Sequence, residues 1–295
     1  MEERKWEGTT YGNGLMHKWL IALLRVIDIR IIYIFTYVFV IPPCLFRPGF
    51  KYIYRYFRER WGFGSAKAFI KTYQNHCMFS QVVIDRFAMY SGKHFQFDIE
   101  GYEFFEELAD KPDAFILFSS HVGNYELAGY TLVSEKKPFN ALVFWGEKQS
   151  VMENRSNMFS DKNIHMISIK EDMSHLFSIN NALQQGEIVS MPVDRIFGSK
   201  KFVRETLLGA EIKLPLGPFS VATMRGVDVL AVNVMKASTK VYKVYVTPLT
   251  YDKQETRSKQ IEQLAHNYVT ELERILRLYP TQWYNYFDFW KSEQL

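Results

Sequence analysis

The chain has 295 residues, 47% of them hydrophobic, which is ample for a buried core and for one main domain with an N-terminal extension. The net charge of +4 is unevenly placed: residues 1–60 hold 10 Lys/Arg against 5 Asp/Glu, while residues 61–295 hold 26 against 27. A basic, apolar N-terminus over a neutral body favours an anionic membrane surface and argues against nucleic acid, and two cysteines without CxxC or framework spacing exclude a disulfide scaffold and a zinc site.

The most apolar stretch is residues 20–50, LIALLRVIDIRIIYIFTYVFVIPPCLFRPGF. Its longest uncharged run, Ile31 to Phe46, has 16 residues, just under the roughly 18 that a spanning helix needs, and Pro42-Pro43 breaks its end. Flanking Lys51, Arg55, Arg58 and Arg60 suit snorkelling to phosphates, so the expectation is an interfacial or shallowly inserted helix. The competing reading is a helix buried in a soluble core. This divides the chain into a membrane-associated segment, 1–60, and a main domain, 61–295.

Within the main domain, Ala66, Phe69, Ile70, Tyr73, Cys77, Val83, Ile84 and Phe87 recur at helical spacing and predict a helix over 65–90 closed by Gly92. Short apolar runs follow (AFILFSS, NALVFW, IHMISI, EIVSMP, VDVLAVNVM), separated by helix-like stretches near 124–134, 148–160, 171–185 and 218–225. Such alternation predicts an α/β fold with a central, mostly parallel sheet flanked by helices. KVYKVYVTPLT alternates with period two, as an edge or antiparallel strand does, and Ile261, Leu264, Ala265, Tyr268, Leu272, Ile275 and Leu276 stripe a long C-terminal helix.

No complete GxGxxG, GxxxxGK[ST], HExxH or GxSxG occurs, which weighs against the dinucleotide, P-loop, zincin and α/β-hydrolase readings. What remains is FILFSSHVGNYELAG, residues 115–129, where an apolar run ends in His121 with Glu126 five positions later. Positions five apart on a helix stand about 140° from each other, so the two converge only if the backbone turns between them. Gly123 permits such a turn, and Asn124 is a preferred N-cap for a helix starting at Tyr125. A carboxylate on one ring nitrogen fixes the tautomer and leaves the other as a base for an attacking alcohol or amine. By spacing alone, a histidine at a strand end is more often structural than catalytic. Asp194 and Arg195, at the end of EIVSMP, read either as phosphate-orienting residues or as a local ion pair bracing the loop.

HVGNYELAG resembles the HxGNWE block of the bacterial lysophospholipid acyltransferases typified by the late acyltransferases of lipid A biosynthesis, with Tyr125 in place of the usual Trp. The stretch from GEIVSMPVDRIFG to GVDVLAV resembles that family's Asp-containing loop and Gly-Pro helix, and YPTQWYNYFDFW is similar to its Pro-x-x-Trp signature. The resemblance implies catalysis by His121 and Glu126, with Asn124, Asp194 and Arg195 as substrate-binding residues. It implies transfer of a fatty acyl chain from an acyl carrier protein or CoA thioester to a hydroxyl or amine of an amphiphilic envelope lipid, without metal or cofactor, at the cytoplasmic face of the inner membrane. The alternatives are a lipid-binding protein without turnover and an acyl thioesterase.

Overall fold

The computed structural model describes residues 14–127, 131–132, 134–144, 163–169, 174–196 and 201–290. The helix expected near 148–160 lies outside the described residues. The chain starts with α1 (Gly14–Val26) and α2 (Ile29–Phe35), the second opened by the Asp28 carboxylate accepting the Arg30 N–H at 2.8 Å. A wide π-turn over Thr36–Val40 and a tight 3₁₀ turn over Pro42–Phe46 continue α2, the second forced by the two prolines, which cannot donate to a helical ladder. Short α3 (Pro48–Arg55) leads to α4 (Ser65–Tyr90), which occupies the predicted span and stops where Gly92 takes φ +90°.

Leu24, Ile29, Ile32 and Tyr33 pack on Ile84, Phe87 and Ala88 of α4. The other side of α1, α2 and the π-turn is exposed and apolar: Trp19 is 70% exposed, Ile31 60%, Ile34 62% and Phe39 64%. Ile29–Phe46 is long and apolar enough to cross a membrane, with 22% of it buried against the protein. Ile53, Tyr56 and Phe57 belong to the main core, so the last part of the 1–60 segment is packed onto the body.

Among the described residues nine strands follow: β1 (Gln96–Glu100), β2 (Phe115–Ser119), β3 (Phe139–Phe144), β4 (Ile164–Ile169), β5 (Ile188–Pro192), β6 (Phe202–Leu207), β7 (Ala210–Pro215), β8 (Asp228–Lys236) and β9 (Val241–Pro248). Seven form one sheet in the order β1-β9-β8-β2-β5-β3-β4, every neighbouring pair parallel except β8 with β9. The fold is α/β with a mostly parallel central sheet, and its helices among the described residues include α5 (Tyr102–Asp110), α6 (His175–Gln184), α7 (Leu216–Arg225) and α8 (Arg257–Leu278) besides those named above. All five residues of β2 are buried, as expected of a central strand covered on both faces. The α8 stripe of Leu264, Ala265, Tyr268, Leu272, Ile275 and Leu276 closes one side of the core.

Of the two readings of its period-two run, β9 takes the antiparallel one: it runs antiparallel to β8 and is not an edge, because β1 pairs with its outer side. The hairpin β6–β7 falls in a stretch where the sequence reading placed no strand; its turn uses Leu208 and Gly209 at φ +51° and +75°, and a leucine there hides the usual Asn-Gly signal.

Candidate active site

Neighbouring strands β2 and β5 run in parallel with Ser119 opposite Pro192, and the Val193 N–H extends the ladder to the Ser119 carbonyl at 3.0 Å. Two residues beyond each paired position the chain places His121 and Asp194 side by side, at the carboxyl ends of the strands where open α/β sheets present their ligands. The His121 backbone N–H donates to Asp194 Oδ2 at 2.9 Å, and its ring Nδ1 lies 2.7 Å from Asp194 Oδ1. A buried carboxylate accepts but does not donate, so Nδ1 carries the proton and Nε2 is left as a base. The Asp194 side chain is wholly buried and that of His121 is 17% exposed, so the pair is fixed from behind and reachable from in front.

Burial and the nearby Arg195 guanidinium hold the His121 pKa below the ordinary imidazole value, against the opposing pull of Asp194. Burial tends to raise the Asp194 pKa, but its bonds to His121 and the charges of His121 and Arg195 win and set it below the usual carboxylate range. Near neutral pH the pair therefore consists of a neutral imidazole on an ionised carboxylate.

This corrects the expectation that Glu126 braces His121. Gly123 takes φ +54°, and a Cβ there would lie 2.1 Å from the Val234 carbonyl oxygen, so only glycine fits the bend. The bend, followed by a 3₁₀ turn over Tyr125–Leu127, sends Glu126 toward α4, where its carboxylate stands 3.0 Å from Arg86 Nε. Its charge still favours the protonated ring, though less than that of Asp194. The Tyr125 ring meets the His121 ring edge-on at 5.0 Å.

Asn124 is not an N-cap. Its side chain is buried and donates through Nδ2 to the Tyr242 hydroxyl at 3.3 Å, while its backbone N–H donates to the Val234 carbonyl at 2.7 Å. Arg195 donates through Nη2 to the Tyr284 carbonyl at 3.0 Å and to Asn285 Oδ1 at 3.1 Å, and its guanidinium lies 5.5 Å from the Phe287 ring centre. The structure thus brings His121 and Asp194 together and turns Glu126, Asn124 and Arg195 toward protein partners.

The C-terminal signature holds the loop from the other side. The Gln282 carbonyl accepts the Gly123 N–H at 2.8 Å, Val122 pairs with Trp283, and the Tyr284 N–H reaches the His121 carbonyl at 3.3 Å. Trp283 and Tyr284 are buried in packing. Sequence reasoning missed Arg86, which meets Glu126, and the buried Asp85 beside it. The signal was present: VVIDRFAMY sets two opposite charges inside an apolar helical run.

A buried carboxylate that holds one imidazole nitrogen at the ends of two parallel strands of an α/β sheet is an arrangement in which the other nitrogen can accept a proton from an attacking group. The sequence matches the bacterial lipid A biosynthesis acyltransferase family over residues 77–292, and the chain belongs to that family. It is an acyltransferase of lipid biosynthesis. No curated protein sequence matches the chain. Among solved structures, the chain is similar to the 1-acyl-sn-glycerophosphate (LPA) acyltransferase PlsC from Thermotoga maritima, at 16% identity and a TM-score of 0.36, covering 92% of this chain and 99% of that one.

Proposed function

We propose that the protein transfers a fatty acyl chain from an acyl carrier protein or CoA thioester to a hydroxyl or amine of an amphiphilic envelope lipid, with His121 as general base. Family membership supports the reaction, and the observation that carries the mechanism is the His121–Asp194 pair with Nε2 left over. In this reading the acceptor oxygen or nitrogen gives its proton to Nε2 and bonds to the thioester carbonyl carbon. The tetrahedral intermediate then collapses, the carbon–sulfur bond breaks, and the imidazolium returns the proton to the leaving thiolate. Asp194 fixes the tautomer and stabilises the imidazolium.

His121→Ala is expected to keep the fold and to lower kcat by about 10²-fold or more, measured as thiol release with acceptor present. Turnover near wild type in the folded variant would remove the mechanism. Thiol release that needs no acceptor would identify a thioesterase instead, and binding of lipid without release a carrier.

The bare apolar face of α1 and α2, followed by Arg47, Lys51 and Arg58, supports attachment to the cytoplasmic face of the inner membrane. Deleting residues 1–46 is a poor test, because Tyr33 on α2 is built into the core. Replacing the exposed Ile31, Phe35 and Phe39 by Ser leaves that packing alone. The triple variant is expected to leave the pellet when co-sedimented with phosphatidylglycerol vesicles, whereas high salt weakens attachment of the wild type without abolishing it. A triple variant that still pellets fully would contradict attachment through this face.

A further inference from the structure

Behind the loop, and outside the transfer chemistry just described, lies a second buried charge centre. Asp85, on α4, is wholly buried, as is Lys236 at the end of β8. The Asp85 carboxylate receives the Lys236 ammonium and the Tyr242 hydroxyl on one oxygen and the Tyr33 hydroxyl on the other. The Lys236 ammonium also donates to the Tyr33 hydroxyl at 3.2 Å and to the Thr239 carbonyl at 3.3 Å. A carboxylate with no access to water is tolerated only when such donors replace its hydration, so each of them is constrained in place.

Two hydrogen-bonded routes lead from this centre to the loop that carries His121. The first runs through Tyr242, whose hydroxyl accepts from Asn124 at 3.3 Å. The second runs through Lys236, whose backbone N–H and carbonyl are both taken by the Gln282 side chain, at 2.9 and 2.8 Å; the Gln282 carbonyl in turn accepts the Gly123 N–H. Both routes end on the two residues that follow Val122, where the backbone makes its bend. The donor from α2 is Tyr33, and α2 is the helix whose other face is bare apolar surface.

We propose that Tyr33 and Asp85 are positioning residues of the transfer site: the N-terminal helix supplies, through Tyr33, one of the donors that fix Asp85, and Asp85 through Tyr242 and Lys236 fixes the bend that sets His121 against its substrate. The proposal rests on the acyl-transfer reading for its kinetic part only. An ordinary packing role would lower the melting temperature without loosening this loop in particular. A positioning role concentrates the effect on Gly123 and Asn124.

Tyr33→Phe keeps the ring and removes the donor. Its control is Thr247→Val, which removes a hydroxyl donor of the same kind to the buried Glu271, at 3.1 Å, on the far side of the sheet. Amide hydrogen exchange is measured on the full chain, resolved to the segment that contains Gly123 and Asn124. Tyr33→Phe is expected to speed exchange there about tenfold, the effect of leaving one oxygen of a buried carboxylate unmet, and Thr247→Val to leave it at the wild-type rate. Tyr242→Phe, which cuts the first route at the loop end, should reproduce the faster exchange. In turnover, Tyr33→Phe is expected to lower kcat about tenfold while each KM moves less than about twofold. Wild-type exchange in Tyr33→Phe, or an equal rise in Thr247→Val, would overturn the proposal. The exchange readout needs no turnover, so an active His121→Ala protein would remove the acyl-transfer mechanism and leave this result standing.

Discussion

Two buried acid–base pairs flank the same loop and differ in one respect. Around Asp85 every carboxylate oxygen is met and the ammonium of Lys236 is packed among the rings of Tyr33, Phe95 and Tyr242, at 5.3, 5.6 and 5.0 Å from their centres. Around Asp194 both oxygens are met as well, but the partner is a partly exposed imidazole with a second nitrogen. The first pair has no atom to offer a substrate and serves to hold the loop. The second offers one atom, and the rest of its surroundings keep that atom neutral and aimed. In the proposed mechanism it is therefore not burial alone but burial with one functional atom left over that sets His121 apart from the Asp85 pair.

The largest expected effect that separates the pairs is on stability. Asp85→Ala strands the Lys236 ammonium in the core and is expected to cost about 3–5 kcal/mol in denaturant unfolding. The double change Asp85→Leu with Lys236→Met should recover much of that loss, since a buried pair is often no more stable than apolar residues of similar volume. A comparable rescue of activity at the other pair, by apolar replacement of both His121 and Asp194, is not expected. If the Asp85 pair proved as dispensable to stability as a surface ion pair, the distinction drawn between the two would fail.

Next in size is the bend itself. Gly123→Ala requires φ +54° of a residue with a Cβ and drives that Cβ into the Val234 carbonyl, so a loss of about 2 kcal/mol or more is expected, with kcat falling as the loop shifts. Unchanged melting and turnover would show that the loop relaxes without harm.

The smallest effect is on pH. The His121 pKa sits below the ordinary value of about 6.5, so activity, which needs the neutral ring, should be full above that value and lost as the pH falls through the lowered pKa. Removing the Arg195 charge by Arg195→Gln withdraws one of the two causes of the depression, and the acidic limb should move to higher pH. Linkage gives the same sign for stability: the depressed histidine contributes stability above its unfolded pKa, lost as the pH falls. An acidic limb that does not move in Arg195→Gln would show that this charge does not reach the ring.

Much of the frame was legible in the sequence because it depends on local pattern. The helix over 65–90, the C-terminal stripe and the apolar runs that became β2, β3, β4, β5 and β8 follow from periodicity. His121 was legible too, as a polar residue where a buried run stops. Its partner was harder to read. Glu126 is near in sequence, whereas Asp194 is 73 residues away and becomes a neighbour only because β2 pairs with β5. Strand order is a property of the whole sheet, and no local spacing encodes it. The same holds for Tyr33 with Asp85 and for Gln282 with Gly123, whose contacts join segments far apart in the chain.

The claim that Asp194, not Glu126, is the carboxylate behind the catalytic histidine is tested most directly by comparing kcat for Asp194→Asn and Glu126→Gln on one thioester donor and one acceptor. Asp194→Asn should lose about 10²–10⁴-fold, the range of general-base catalysis, because the amide no longer enforces the Nδ1–H tautomer or stabilises the imidazolium. Glu126→Gln should lose clearly less, since its carboxylate stands against Arg86 rather than on the ring and favours the protonated imidazole less than Asp194 does. A near-normal Asp194→Asn enzyme beside a crippled Glu126→Gln enzyme would contradict the account.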